Sequence, residues 1–598
     1  MFLQNYNISI NMALKIYEAY QEKTVEIVRE NPYKLVEDID GIGFLTADNI
    51  AKNMGINPKS AFRVRAGLLH VLADSSEKTG NTFNYKNTIF SQGAKLLGLD
   101  DKQNEQLFEK VIEQLVAEKV VVEFYHEKRQ VLMLSKYYFL EKSVAQKLAL
   151  LKAMSKQRNI DVDQDIKTFE MLNSLTFHAE QKNAIKMAVN SGVSVITGGP
   201  GTGKTTIVKC IIELLGQMKS KILLVAPTGR AAKRLNESTG FAASTIHRAL
   251  ELDFRAQGTF LHNEHNPLDV DVVIVDEVSM VDIALANALL KALPRDCRLV
   301  LVGDKDQLPS VGAGNVLHDI LASGMFDVVH LTKIYRQEDK SMIVSNAHLI
   351  NSGQMPVLDN SSKDFFFEQK ANPVDAAQSI LELVTTRITN FTGKESTSIQ
   401  VLCPLKLGLC GTNALNFELQ SKLNPESLHK AELVFGNTIF REGDKVMHIA
   451  NNYNLSWTRK IGYLIEQGMG VFNGDIGYIH KIDRQTGETT VWFEDGRECV
   501  YPRSEVSQLT LAYAITVHKS QGSEFDVVVI PVISGPKMIL TRNLLYTAVT
   551  RAKNMVVLVG EKAALRRMIS NNYTALRLTM LETFLKQYGK EVNIMFGE

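Results

Sequence analysis

The chain has 598 residues, too many for a single compact core, so three to five structural units are expected. Hydrophobic residues make up 45% and charged residues 22%, which excludes a disordered or fibrous chain. The net charge of +1 lacks the signal of a strongly basic polyanion binder, so a nucleic-acid partner would require positive charge gathered in one groove. No apolar run reaches membrane-spanning length, and the N-terminus lacks the basic, apolar and cleavage segments of a leader, so a cytosolic protein is expected. The five cysteines (Cys210, Cys297, Cys403, Cys410 and Cys499) lack metal-ligand spacing and read as reduced thiols.

In chain order, residues 1–60 read as short helices around the turn Ile39-Asp40-Gly41-Ile42-Gly43, with Ala47 and Ile50 following. Residues 61–165 carry amphipathic helical patterning and a strand-like pair near 119–134. From about residue 170 the texture changes. Apolar, β-branched runs recur at 193–197, 222–227, 272–277, 298–304 and 328–332, separated by helix-length segments. That alternation predicts βαβ units around a buried parallel sheet. A second set follows at 399–404, 527–532 and 555–560, interrupted by short alternating strands over 435–505. Turn signals at Asn473-Gly474-Asp475 and Glu494-Asp495-Gly496 mark that stretch as a small inserted β-barrel.

The segment GGPGTGKTT (198–206) follows a strand and opens a helix, the context that a phosphate-binding loop requires. Gly199, Gly201 and Gly203, with Thr202 and Thr206, let backbone N–H groups turn onto phosphates at the positive end of a helix dipole. Lys204 supplies a point charge to the β- and γ-phosphates, and Thr205 offers a hydroxyl to Mg²⁺. Asp276 and Glu277 end the strand VVIVDE and place carboxylates beside that cradle. Asp276 is expected to hold the Mg²⁺ shell and Glu277 to orient or deprotonate the attacking water. These residues imply ATP hydrolysis but leave open what it drives.

The order of motifs around them resembles the RecD-like branch of superfamily 1 helicases over roughly residues 1–570. LTFHAEQKNAI (175–185) is similar to the family's adenine-reading motif and makes Gln181 the bidentate amide on the base. VGDKDQLPSVGAGNVL (302–317) resembles the γ-phosphate sensor, with Gln307 in that role. YRQ (335–337) and YTAVTRA (546–552) resemble the motifs that bring Arg336 and Arg551 to the phosphates. APTGRAAKRL (226–235), STIHRAL (244–250) and LAYAITVHKSQGSEFD (511–526) resemble strand-binding segments. They nominate Thr228, Arg230, Thr245, His247, Thr516, His518 and Lys519 as contacts to single-stranded DNA. His247 and His518 fit a satisfied core histidine as well.

Residues 251–271, with short runs around Gln257-Gly258, read as a hairpin or a plain surface loop. In the family the corresponding element is a pin at the duplex junction, where Phe254 and Phe260 would stack on the last base pair. The Gly41-Ile42-Gly43 turn looks like a helix–hairpin–helix or an ordinary structural hairpin. Stand-alone family members carry a further domain upstream, whereas this sequence starts almost at that turn.

The resulting expectation is an α/β protein with two RecA-like P-loop motor domains, an inserted SH3-like barrel and a helical helix–hairpin–helix start. The expected boundaries are 1–60 and 61–165 for the helical, winged-helix-like N-terminal parts, then 166–335 for the first motor domain. The second motor domain is expected at 336–434 with 506–570, the barrel at 435–505, and a helical tail at 571–598. The resemblance implies a monomeric motor that uses ATP and Mg²⁺, moves 5′→3′ on single-stranded DNA and unwinds junctions in repair or recombination. A RecD-type subunit of a nuclease assembly, an ATP-switched DNA binder that does not unwind, and a metabolic P-loop kinase are the alternatives.

Overall fold

The computed structural model describes residues 8, 10–39, 41–154, 159–253, 259–333, 341–573 and 577–596. The first apolar runs form a six-stranded, all-parallel sheet in the order Asp327–Leu331, Val193–Gly198, Arg298–Gly303, Val272–Val275, Ile222–Ala226, Ala243–Thr245. Its central strands are buried on both faces, as their Val/Ile/Leu-rich composition requires. The phosphate-loop strand lies inside the sheet, next to strands that come later in the chain. The loops that leave the carboxyl ends therefore converge: 199–203, the turn after Ala226, Asp276-Glu277, and the turn after Gly303.

The second set forms a five-stranded parallel sheet, ordered Phe365–Gln369, Ala552–Gly560, Phe525–Val532, Ile399–Cys403, Ala514–Thr516. Three of its strands were expected from sequence; Phe365–Gln369 and the three-residue Ala514–Thr516 were not.

The inserted region is a seven-stranded sheet in the order Leu464–Val471, Asn452–Ile461, Arg497–Tyr501, Thr489–Phe493, Ile476–Ile482, Lys445–His448, Leu509–Leu511. Its strands pair antiparallel. Leu509–Leu511 lies within the stretch expected to belong to the second α/β unit, yet it pairs with Lys445–His448. A separate hairpin, Glu432–Phe435 with Thr438–Arg441, precedes the sheet.

At the N-terminal end, helix Lys34–Asp38 and helix Phe44–Asn53 flank the turn that contains Gly41 at φ +92°. The expected strand pair is present as Val121–His126 with Arg129–Leu134, and Phe83–Tyr85 adds a third strand. The C-terminal segment is no tail. Helix Leu581–Phe596 packs against helices Ser135–Met154 and Val316–Ser323. Leu581, Phe584, Leu585, Tyr588 and Val592 recur at helical spacing and enter the core of the first lobe. The Met580 amide donates to Glu141 at 3.0 Å, and the Thr82 amide donates to the Leu578 carbonyl at 2.9 Å.

All five cysteines are buried free thiols. Among the described residues no helix is long and apolar enough to cross a membrane.

Candidate functional site

Two clefts lie between the α/β lobes. The first has a volume of about 1040 Å³ and is lined by the whole loop Gly199–Thr206, by Glu277 and Gln307, and by Glu524, Thr550 and Arg551 across the seam. The first lobe presents the carboxyl ends of its strands. The second presents the starts of strands Phe525–Val532 and Ala552–Gly560.

The phosphate loop owes its shape to glycine at Gly203. This residue sits at φ +83°, and an added Cβ would come within 2.5 Å of Gln181 Nε2. Lys204 opens helix Lys204–Gln217 and donates to the Gly198 and Gly199 carbonyls at 2.6 and 2.9 Å, which lays its ammonium across the loop. The Thr202 hydroxyl donates to the Gly199 carbonyl at 2.9 Å. Thr205 and Thr206 line the cavity.

Gln181 lines this cavity too. Its Oε1 accepts the His178 amide at 3.0 Å, and its Nε2 donates to the Thr202 carbonyl at 3.0 Å. These two bonds cap a helix and brace the phosphate loop, and they leave the amide a second N–H and a second lone pair. The apolar wall beside the loop comes from Met171, Leu175 and Phe177, the last stacked on Phe169 at 5.7 Å.

Asp276 and Glu277 are 6% and 5% exposed. Glu277 adopts φ +53°, a left-handed conformation that costs a non-glycine residue roughly 1–2 kcal/mol. Burial pushes its carboxyl up, but the guanidiniums of Arg234 and Arg551 together with Lys204 outweigh burial and hold it below the ordinary value. Asp276 is pushed up by burial and by the charge of Glu277, and it is not among the residues that line the cavity.

No cluster of three or more His, Cys, Asp or Glu side chains able to hold a metal occurs among the described residues. The oxygen donors Thr205 and Asp276 suit Mg²⁺, which takes one or two protein ligands and completes its shell with water and phosphate.

Sequence reading missed Arg234. Its Nη2 lies 2.7 Å from Glu277 Oε1 and 3.8 Å from Asp276 Oδ2, while its Nη1 lies 3.0 Å from Glu524 Oε1 in the other lobe. Arg551 is 2% exposed and donates to the Ser523 and Thr547 carbonyls at 3.0 and 3.3 Å. Arg336 lies outside the described residues. Gln307 Nε2 donates to Asp304 Oδ2 at 3.3 Å, and Tyr546 of the second lobe donates to that same oxygen at 2.8 Å. The seam is closed further by Leu308, whose amide donates to Thr547 Oγ1 at 2.9 Å and whose carbonyl accepts Gln521 Nε2 at 2.9 Å.

The second cleft, about 1290 Å³, brings together all seven residues nominated for strand contact: Thr228, Arg230, Thr245, His247, Thr516, His518 and Lys519. Thr228 and Thr245 also cap helices, accepting the Ala231 and Arg248 amides. His247 and His518 line the cleft, and burial lowers the pKa of both, so they enter it as neutral rings. Lys519 donates to Asn473 Oδ1 at 2.6 Å. Residues not individually nominated from sequence join them: Tyr453 and Phe472 of the inserted region, in edge contact at 5.6 Å, and Arg577 of the returning C-terminal segment.

The hairpin exists, with Leu252 paired to Phe260 and Asp253 to Thr259. Phe254 lies outside the described residues. Phe260 is corrected: its ring packs on the core of the first lobe and tilts against His247 at 5.9 Å, a position unlike that of a projecting wedge.

Family models match four parts of the chain: an ATP-dependent RecD2 DNA helicase HHH domain (1–83), an AAA domain (181–313), an ATP-dependent RecD-like DNA helicase SH3 domain (415–493) and a UvrD-like helicase C-terminal domain (511–559). The ATP-dependent RecD2 DNA helicase of Deinococcus radiodurans is 30% identical over 97% of this chain and 77% of its own length. The RecBCD enzyme subunit RecD of Mycolicibacterium smegmatis is 32% identical over 69% of this chain and 75% of its own. Among solved structures, a Pif1 helicase from Bacteroides in complex with ADP-AlF3 and ssDNA aligns at TM-score 0.39 and 18% identity, over 72% of this chain and 98% of that one. With the RecD2 relative matched over 97% of this chain and 77% of its own length, the chain belongs to the RecD-like helicases of superfamily 1.

Proposed function

We propose that the chain is an ATP-dependent DNA helicase that moves 5′→3′ along a single strand and unwinds the duplex ahead of it. The observation that carries this reading is shared wiring. Residues 228–234 and 516–524 each contribute side chains to both clefts, so a change in one cleft is mechanically felt in the other.

In this reading the amides of Gly199–Thr206 and the Lys204 ammonium hold the β- and γ-phosphates. Thr205 and Asp276 hold Mg²⁺, which neutralises phosphate charge when bound. Glu277 takes the proton of the attacking water, and Gln307 senses the γ-phosphate. Arg551, with Arg336, meets the developing charge as the lobes close. Thr228, Arg230, Thr245, His247, Thr516, His518 and Lys519 hold the strand chiefly by its backbone, since a motor must accept every sequence. Tyr453 and Phe472 offer faces on which bases stack. Likeness to the RecD-like helicases supports the direction of travel, and with it we propose a monomeric state and a cytoplasmic, repair-related role.

The test uses duplexes with a 5′ tail, a 3′ tail or a fork, with and without ATP. Unwinding from the 5′ tail and the fork is expected. Unwinding only from a 3′ tail overturns the direction, and DNA-stimulated hydrolysis without any unwinding makes the chain an ATP-switched strand binder.

A further inference from the structure

Helix Gly229–Thr239 runs from one cleft to the other. Arg230 and Arg234, four residues apart, lie on one face of it. Arg230 donates to Ser523 Oγ at 2.9 Å and to Glu494 Oε2 at 3.2 Å. One turn on, Arg234 grips Glu524, the next residue of the same second-lobe segment, and with its other nitrogen grips Glu277. The Ser523 carbonyl also accepts Arg551. Packing here is tight: a Cβ on Gly522, at φ +72°, would meet Thr228 Oγ1 at 2.6 Å. Thus one guanidinium fork bridges a carboxylate of each lobe, next to a segment whose preceding residues, Thr516, His518 and Lys519, line the strand cleft.

Building on the helicase reading, we propose that Arg234 is a positioning residue that restrains Glu277 until a strand fills the second cleft. In hydrolysis the water oxygen bonds to the γ-phosphorus, the bond to the ADP oxygen breaks, and Glu277 accepts the proton that the water loses. A carboxylate oxygen held 2.7 Å from a guanidinium is turned away from that water and is a poorer proton acceptor. A planar fork satisfies Glu277 and Glu524 together at only one relative position of the lobes. A strand entering the cleft competes with Ser523 and Glu494 for Arg230, and this loosens the second-lobe segment from the helix. Arg234 then follows Glu524, and Glu277 is released to the water. The device makes turnover conditional on the presence of the track.

The test compares wild type, Arg234→Ala and Arg234→Lys in ATP hydrolysis, with and without a homopolymeric single-stranded DNA, reading kcat and KM separately. For Arg234→Ala, strand-free kcat is expected to rise several-fold with KM for ATP unchanged, and the stimulation by DNA to shrink by the same factor. Arg234→Lys, whose ammonium pairs with one carboxylate at a time, should fall between; it carries the test alone if the alanine variant does not fold. Strand-free kcat at or below wild type overturns the proposal and leaves Arg234 a plain inter-lobe ion pair. A wild-type chain that hydrolyses ATP without any response to DNA sinks the helicase reading itself, a result distinct from variants that merely copy a DNA-responsive wild type.

Discussion

The two clefts are of similar size and share the same seam, yet they are furnished in opposite ways. The nucleotide cavity is built from charges buried and locked on one another: Arg234 on Glu277 and Glu524, Lys204 on the loop carbonyls, Arg551 on Ser523 and Thr547. The strand cleft is furnished with threonine hydroxyls, neutral imidazoles, aromatic edges and the cations Lys78, Arg230, Lys406, Lys519 and Arg577. Fixed charges suit a ligand that must be held still while charge develops on it. Hydroxyls and neutral rings set between cations give a sliding polymer contacts that are readily exchanged. With a net charge of only +1 for the whole chain, the positive charge that a strand needs is gathered in this groove.

If that division is right, substitutions in the first cleft should act on rate and those in the second on grip. The largest effect is expected for Arg551→Ala, which should lower kcat by ~10³–10⁵ while nucleotide still binds to the phosphate loop. A stopped-flow measurement with a fluorescent ATP analogue, alongside steady-state turnover, separates the two. Loss of binding with unchanged kcat would place Arg551 outside the chemistry.

The next effect concerns pH. Because burial lowers the pKa of His247 and His518, they stay neutral through pH 8 to 7 and protonate only below the ordinary histidine value of about 6.5. Affinity for single-stranded DNA should therefore be flat from pH 8 to 7 and rise only on further acidification, and a His247→Ala, His518→Ala double variant should lose that rise. Fluorescence anisotropy at constant ionic strength reads it; a rise already complete at pH 7 would contradict the neutral rings.

The smallest effect on function is expected at Phe260. Its ring is packed, so Phe260→Ala should destabilise by roughly 1–3 kcal/mol, below the range for a fully buried phenylalanine, and leave base pairs opened per ATP unchanged. A drop in that coupling ratio without a lower Tm would restore Phe260 to a strand-separating role.

Much of the fold was legible because its central strands are long, apolar and bounded by helices. Val193–Gly198 and Arg298–Gly303 announce themselves by composition alone. Ala243–Thr245 and Ala514–Thr516 do not, since three residues carry no periodicity and their identities are set by the neighbouring strand-contact segments. In the nucleotide site the loop and the acidic pair could be read locally, because phosphate chemistry demands contiguous residues. Arg234 could not. Its role depends on Glu524, 290 positions away, and on a lobe arrangement that no local pattern encodes. Gln181 is the converse case: its motif is local and it lines the cavity, but its bracing bonds to His178 and Thr202 show only in the structure. The C-terminal helix was expected, but its packing partners and the role of Arg577 were not, because amphipathic spacing tells that a face is covered, never by what.

That returning segment has a mechanical consequence. The polypeptide leaves the first lobe after Leu331 and is fastened to it again at Arg577, whose guanidinium donates to the carbonyls of Ser310, Gly312 and Gly314. A body moored at two separate points cannot swing freely. It turns most easily about the line that joins the moorings, so the paired strapping gives the articulation a preferred axis.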